Sequence, residues 1–121
     1  MKMKELVDAV PSIQKIAGQD LRAGTLYRVS LLLDRFESEL KTYDEVRKKL
    51  FEKYCDITDG RAVPKKETAA EFEAEMTELL EMEIDMGGVK PVEIPADEDI
   101  RISYADLCRL KEFITIKFKE E

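Results

Sequence analysis

GTLYRVSLLLDRFESELKTYDEVRKKLFEKYCD, residues 24–56, carries the strongest structural signal in the chain. Apolar residues recur in it at alternating spacings of three and four, as they do along the face of a helix that packs on another helix. These residues are Leu26, Val29, Leu33, Phe36, Leu40, Tyr43, Leu50 and Tyr54. A helix of about 30 residues is roughly 45 Å long. We therefore expect its apolar edge to be covered by another helix of the chain or by another molecule.

A single charged residue, Arg47, interrupts this apolar edge. An arginine can lay its aliphatic stem on a core while its guanidinium reaches water, or a polar residue in the edge can set the register of an oligomeric coiled coil. Under either interpretation the end of the long helix is the predicted partner-binding surface. Its residues are Arg47, Leu50, Phe51 and Tyr54.

Residues 3–17 precede the long helix and repeat apolar residues with helical spacing. Pro11 lies within this segment, and proline removes a backbone donor and clashes with the preceding turn. We therefore expect either a kinked helix or two short helices.

Residues 67–82 follow the long helix and also predict a helix. Thr68 and Glu71 have the spacing of a capping box at its start. The connection of about ten residues is long enough for this helix to return antiparallel along the long one.

The C-terminal part of the chain, residues 103–114, predicts a fourth helix that Ser103 caps ahead of Asp106. Its end has two interpretations. Residues 114–119 continue the helical pattern, but they also alternate apolar with polar residues and are rich in β-branched side chains, as edge strands are.

Three short segments between these helices, 83–86, 91–95 and 99–102, alternate in the manner of half-buried strands. They predict a small β-hairpin or meander whose apolar face rests on the helices. The fold class expected for residues 1–121 is therefore a mainly α single domain: a long helical hairpin, additional N- and C-terminal helices and a minor β element.

The chain of 121 residues is 44% hydrophobic, which is enough for one core without metal or disulfide support. Its 27 acidic and 20 basic residues give a net charge of −7, which disfavours direct binding to nucleic acid. The acidity either keeps the protein soluble or offers an acidic face to a basic partner. The charged N-terminus is unlike a signal peptide, and no run reaches the ~20 apolar residues of a membrane span. We expect a cytoplasmic protein without membrane contact.

Candidate chemistry is sparse. The chain has no histidine, so serine and cysteine triads and the usual zinc sites are excluded. Ser12 and Lys15 form an S-x-x-K pattern without its companion motifs, and we interpret them as part of a helix. The acidic run Asp97–Asp99 fits either a cation site or a solvated turn. We predict no enzyme activity, no catalytic residues, no metal and no cofactor.

The chain resembles, over nearly its full length, a family of small helical proteins of unknown function encoded by tailed phages and prophages of Gram-positive bacteria. The resembling residues are Leu6–Pro11 with Lys15–Ala17 and Leu21, Glu37–Tyr54, Phe72–Glu83, and Ile102–Leu107 with Phe113 and Ile114. Members of the family end soon after the Phe-Ile pair, whereas this chain continues through Phe118. The family has no assigned activity or site residues, so the resemblance implies a phage-related origin, in the host cytoplasm, and no mechanism.

Two functions follow from these observations. The first is a non-catalytic accessory protein of a phage or prophage that contacts a protein partner or itself, with a homo-oligomer as one outcome, in virion assembly or host takeover. The alternative is an anti-defence protein that inhibits a host nuclease through an acidic surface or sequesters a nucleotide. A nucleotide pocket would need basic and aromatic residues that converge, for example Arg22, Tyr27 and Arg28.

Overall fold

The computed structural model describes residues 1–117. The prediction of a mainly α protein built on one long helix, with a minor β element, is confirmed. In chain order the elements are α1 (Met3–Ala17), α2 (Ala23–Tyr54), β1 (Cys55–Thr58), β2 (Arg61–Pro64), α3 (Ala69–Glu81), β3 (Val92–Ile94), α4 (Tyr104–Leu110) and β4 (Ile114–Ile116).

The first helix, α1, is buried along one whole face. Leu6, Ile13 and Ile16 are almost completely inaccessible, and the helix contacts α2, α3 and α4. Pro11 lies on its exposed side and does not divide it, so the expectation of two short helices is wrong. Burial of apolar residues on both sides of the proline offsets the lost backbone hydrogen bond.

The long helix α2 spans 32 residues, and its predicted apolar edge faces the interior except at Leu26, which is exposed. Val29, Phe36, Tyr43 and Tyr54 are buried. Near its middle, the ring of Phe36 meets the edge of Phe113 with centroids 4.9 Å apart. The helix ends at Tyr54, two residues before the predicted end, because Cys55 begins a strand.

The second half of α2 is covered by α3, which runs antiparallel to it as predicted. Phe72, near the start of α3, contacts Phe51 and Tyr54 with centroids 5.7 and 6.4 Å apart. Just beyond the end of α3, the carbonyl of Asp85 accepts a hydrogen bond from Arg35 in the first half of α2. Helix α3 thus lies along the C-terminal part of α2.

The start of α3 differs from the prediction in one detail. Thr68 is the N-cap residue, but its side chain makes no cap hydrogen bond, so the capping box with Glu71 is not formed. The Thr68 hydroxyl instead donates to the carbonyl of Tyr54 at 3.2 Å. That carbonyl lies in the last turn of α2, where backbone acceptors lack helical partners.

The segment between α2 and α3, predicted as a turn and a polar connection, is an antiparallel hairpin of β1 and β2. Asp59 and Gly60 both have positive φ, of 52° and 76°. A two-residue loop with this conformation matches the right-handed twist of the flanking strands, and Asp-Gly is among its preferred sequences.

Two of the predicted strands, 83–86 and 99–102, are not formed. In the first, Glu83 makes only an isolated bridge with Lys2, because the segment that would pair with it enters α1 at Met3. In the second, the amide of Arg101 donates to the side chain of Gln19 at 2.7 Å rather than to a strand.

The third predicted strand, 91–95, contains β3, but it belongs to no hairpin. It pairs in parallel with β4, and α4 lies between the two strands in sequence. The predicted helix 103–114 therefore ends at Leu110, while Ser103 caps it as predicted by accepting from the Asp106 amide at 3.1 Å. Of residues 114–119, the first three are strand, and 118–119 lie outside the described residues.

Candidate interaction surfaces

The sequence-predicted surface, Arg47, Leu50, Phe51 and Tyr54, ranges from exposed to buried. The side chain of Tyr54 is 6% exposed, and Leu50 and Phe51 are half-buried. The guanidinium of Arg47 lies 5.0 Å from the centroid of the Phe51 ring, and the side chain is 45% exposed. This geometry matches an arginine whose stem covers apolar surface while its charge reaches water.

A more open apolar surface lies on the first half of α2. Tyr27 is 66% exposed and Leu31 is 52% exposed. They are four residues apart and therefore neighbours on one face of the helix. Large apolar side chains grouped on a surface are typical of sites that bind another molecule.

Leu31 also lines a groove between α2 and the loop that leads into β3. We call it the basic groove. Its volume is about 440 Å³, and its lining residues are Arg28, Leu31, Leu32, Arg35 and Gly87–Val92. Leu32 and Val92 are buried and form its floor, while Arg28 and Lys90 are exposed at its rim. Its size is within the range of sites that hold a small molecule or a few side chains.

Sequence reasoning missed Leu31, Lys90 and the loop as members of one site. Two signals were present: Tyr27 and Leu31 are apolar but lie off the predicted apolar edge, and Gly87-Gly88 indicates a turn. The approach of that turn to α2 depends on the antiparallel return of α3, which a sequence pattern does not position.

Arg22 and Arg28, two of the residues suggested for a nucleotide pocket, make contacts in different places. Arg22 makes a bidentate ion pair with Asp97, at 2.7 and 2.9 Å, and also contacts Glu98. Arg28 lies in the basic groove. Arg22 is therefore engaged within the protein.

The acidic run Asp97–Asp99 is more than a solvated turn, because two of its carboxylates contact the start of α2. Glu98 accepts from the backbone amide of Arg22 at 3.2 Å. A hydrogen bond from Thr25, and then the amide and charge of Arg22, lower the pKa of Glu98. A carboxylate at a helix N-terminus satisfies free amides and interacts favourably with the helix dipole.

The S-x-x-K pair serves a structural role. The buried Ser12 hydroxyl donates to Asp106 at 2.6 Å, and the Lys15 ammonium lies 3.4 Å from the same carboxylate. The hydrogen bonds from Ser12 and Ser103, together with the charge of Lys15, lower the pKa of Asp106. The group links α1 to α4.

Within residues 1–117, no three Cys, Asp or Glu side chains gather in a metal-binding arrangement. None of the described helices combines the length and hydrophobicity that a membrane span requires. Cys55 and Cys108 are free thiols, the first buried and the second exposed.

Comparison of the chain with known protein families, curated proteins and solved structures gave no match. The resemblance to phage-encoded proteins thus stays a prediction. The functional interpretation depends on the surfaces described above.

Proposed function

We propose that this chain is a non-catalytic accessory protein, of phage or prophage origin, that acts by binding another protein through the first half of α2. The observation that carries the proposal is the exposed pair Tyr27 and Leu31 beside the basic groove. Other parts of the long helix pack against the chain itself, since α2 contacts both α1 and α3.

The exposed pair Tyr27 and Leu31 is more typical of a surface that binds a macromolecule than of one that only contacts water. Aromatic and large aliphatic side chains form the energetic centre of protein interfaces, and basic residues, arginine above all, are common beside them. Leu31 would bury most of its exposed surface on binding, whereas its substitution leaves the packed side of α2 untouched. A role in virion assembly and a role in host takeover would both require a surface that contacts another protein.

Site-specific photo-cross-linking in the natural host cell tests the proposal. A photoreactive residue at position 31 should give one discrete protein adduct. The same residue at position 45, which is exposed on the second half of α2, is the matched control and should give none. No adduct from position 31, or the same adducts from both positions, would contradict the proposal.

Self-association is one form of this function and has its own measurement. If the partner is a second copy, light scattering should give a dimer that Leu31→Asp converts into a monomer with unchanged helix content. A dimer that survives Leu31→Asp would show that this face is not the self-association surface.

The alternative function is an anti-defence protein that sequesters a nucleotide or inhibits a host nuclease through an acidic surface. Nucleotide sequestration has less support from the geometry because Arg22 is bound to Asp97 and Glu98. Thermal denaturation in the presence of a nucleotide panel measures it directly. A ligand at a hundred times its Kd would stabilise the protein by about 2.7 kcal/mol, so an unchanged melting temperature across the panel would remove this alternative.

A further inference from the structure

The charge of the basic groove is opposite to that of the whole molecule. Its lining contains Arg28, Arg35 and Lys90 and no acidic residue, although the chain has a net charge of −7. Cations that have no carboxylate partner within the protein favour an anionic partner.

The cations of the groove differ in whether they already have a charged partner within the protein. Arg35 forms an ion pair with Glu39 at 2.8 Å and donates to the carbonyl of Asp85 at 3.2 Å. Within residues 1–117, Arg28 and Lys90 take part in no ion pair. These two are therefore the groups that a partner's carboxylates would meet.

The two guanidinium groups of α2 point away from each other. Arg28 and Arg35 are two helical turns apart, roughly 10 Å along the axis. The Arg28 Nη1 atom lies 3.7 Å from the position that a β-carbon at residue 24 would take, which is toward the start of the helix. Arg35 turns the opposite way, toward Glu39. One compact anion cannot bridge Arg28 and Arg35 when they diverge in this manner, whereas carboxylates spaced along a chain can reach separate cations of the groove.

The apolar part of the groove lies between these charges. Leu31 is exposed between Arg28 and Arg35 in sequence, and Leu32 and Val92 form the floor beneath it. The order of chemistry along α2 is thus basic, apolar, basic.

We propose that the basic groove binds a segment of a partner protein in which acidic residues flank a large apolar side chain. The apolar side chain enters the groove against Leu31, Leu32 and Val92. The flanking carboxylates meet Arg28 and Lys90, the two lining cations that take part in no ion pair within residues 1–117, and charge-assisted hydrogen bonds form there. The inference rests on the proposed function and names the chemistry of its partner.

Selection from a library of short displayed peptides tests this inference with a defined probe. Peptides enriched on the wild-type protein should share acidic residues on both sides of an aromatic or aliphatic residue. The enriched peptide is then synthesised and its Kd is measured by fluorescence anisotropy. Its affinity should weaken severalfold or more between about 0.1 M and 1 M salt, because exposed ion pairs are screened over this range.

Charge reversal supplies the matched comparison. Arg28→Glu should weaken binding of the synthetic peptide about tenfold or more, and Leu31→Asp should do the same. Arg61→Glu makes the same change in charge at the turn of the β1–β2 hairpin, beyond the opposite end of α2, and should leave the Kd unchanged. Arg28→Gln, which removes the charge without reversing it, should fall between wild type and Arg28→Glu.

Several results would overturn the inference. They are the enrichment of no peptide, enriched peptides without acidic residues, equal affinity of wild type and Arg28→Glu, or a free nucleotide or inorganic phosphate that displaces the peptide from the groove. A cross-linked partner at position 31 that binds Arg28→Glu as tightly as wild type would overturn the acidic-segment inference alone. Loss of every adduct at position 31 would instead remove the proposed function.

Discussion

At the scale of single residues, the contacts that join distant parts of the chain were invisible in the sequence. Ser12 and Asp106 are 94 positions apart and meet only because α1 packs against α4. The S-x-x-K pattern was rightly assigned to a helix, but its actual partner was not predictable. Short-range contacts were easier to predict. The Ser103 cap was predicted correctly because it depends only on residues of its own helix.

The Ser12 hydrogen bond provides a stability prediction. Ser12→Ala should lower the free energy of unfolding by about 1–3 kcal/mol, because the bond is buried and its acceptor is charged. Ser38→Ala, at an exposed position of α2, should change it by no more than about 0.5 kcal/mol. Urea unfolding followed by circular dichroism measures both, and equal effects of the two substitutions would contradict a structural role for Ser12.

Carboxylates with lowered pKa values predict acid sensitivity. Lys2 and Lys4 each donate to Glu81 at 2.7 Å, and these hydrogen bonds lower the pKa of Glu81 from 4.5 to about 2. The pKa values of Glu98 and Asp106 are lowered as well. Groups with a lower pKa in the folded state stabilise it above their unfolded pKa and lose this contribution as the pH falls through the folded pKa.

Unfolding should therefore become easier between about pH 4.5 and pH 2, the range set by Glu81. Urea midpoints measured at successive pH values test this, with Glu81→Gln as the comparison that should flatten the dependence. A midpoint that is constant or rises on acidification to pH 3 would show that these ion pairs are absent in solution.

At the scale of elements, the helices were predicted more completely than the strands: 91–95 contains β3 and one interpretation of 114–119 matches β4, but 83–86 and 99–102 form no strand. The helical pattern repeats over many residues in α1, α2 and α3, so each repeat supports the next. Strands of three or four residues carry too few repeats, and the side chain of Gln19 replaced one predicted strand partner altogether. The hairpin signal at Asp59-Gly60 was present, but it also matches the chemistry that ends a helix.

Two glycines should respond to alanine in opposite directions. Gly60 has φ of +76°, so Gly60→Ala should destabilise the hairpin by about 1 kcal/mol. Gly24 lies within the first turn of α2, where Gly24→Ala should stabilise by about 0.4–1 kcal/mol because it restricts the unfolded chain. Hydrogen exchange of residues 55–64 and the global melting temperature distinguish the two effects. Stabilisation by Gly60→Ala would contradict the turn geometry.

At the scale of the whole molecule, the chain buries Tyr54 at the end of its long helix and leaves Tyr27 and Leu31 near its beginning exposed. The sequence predicted that the apolar edge of α2 needs a cover, and α1 and α3 supply it. Its predicted partner surface at the end of α2 stays a prediction. The exposed pair Tyr27 and Leu31 lies near the other end, because the position of α3 decides which residues stay exposed. Tyr54 is buried beneath Phe72, whereas Leu31 projects beside the basic groove.

The most direct test of this arrangement compares the unfolding free energies of Tyr54→Ala and Leu31→Ala in urea. Tyr54→Ala should cost about 3 kcal/mol, as large-to-small substitutions of buried aromatic residues do. Leu31→Ala should change the value by no more than about 0.5 kcal/mol, because its side chain is mostly in solvent. A large loss for Leu31→Ala together with a negligible one for Tyr54→Ala would show that the covered and open ends of α2 are reversed.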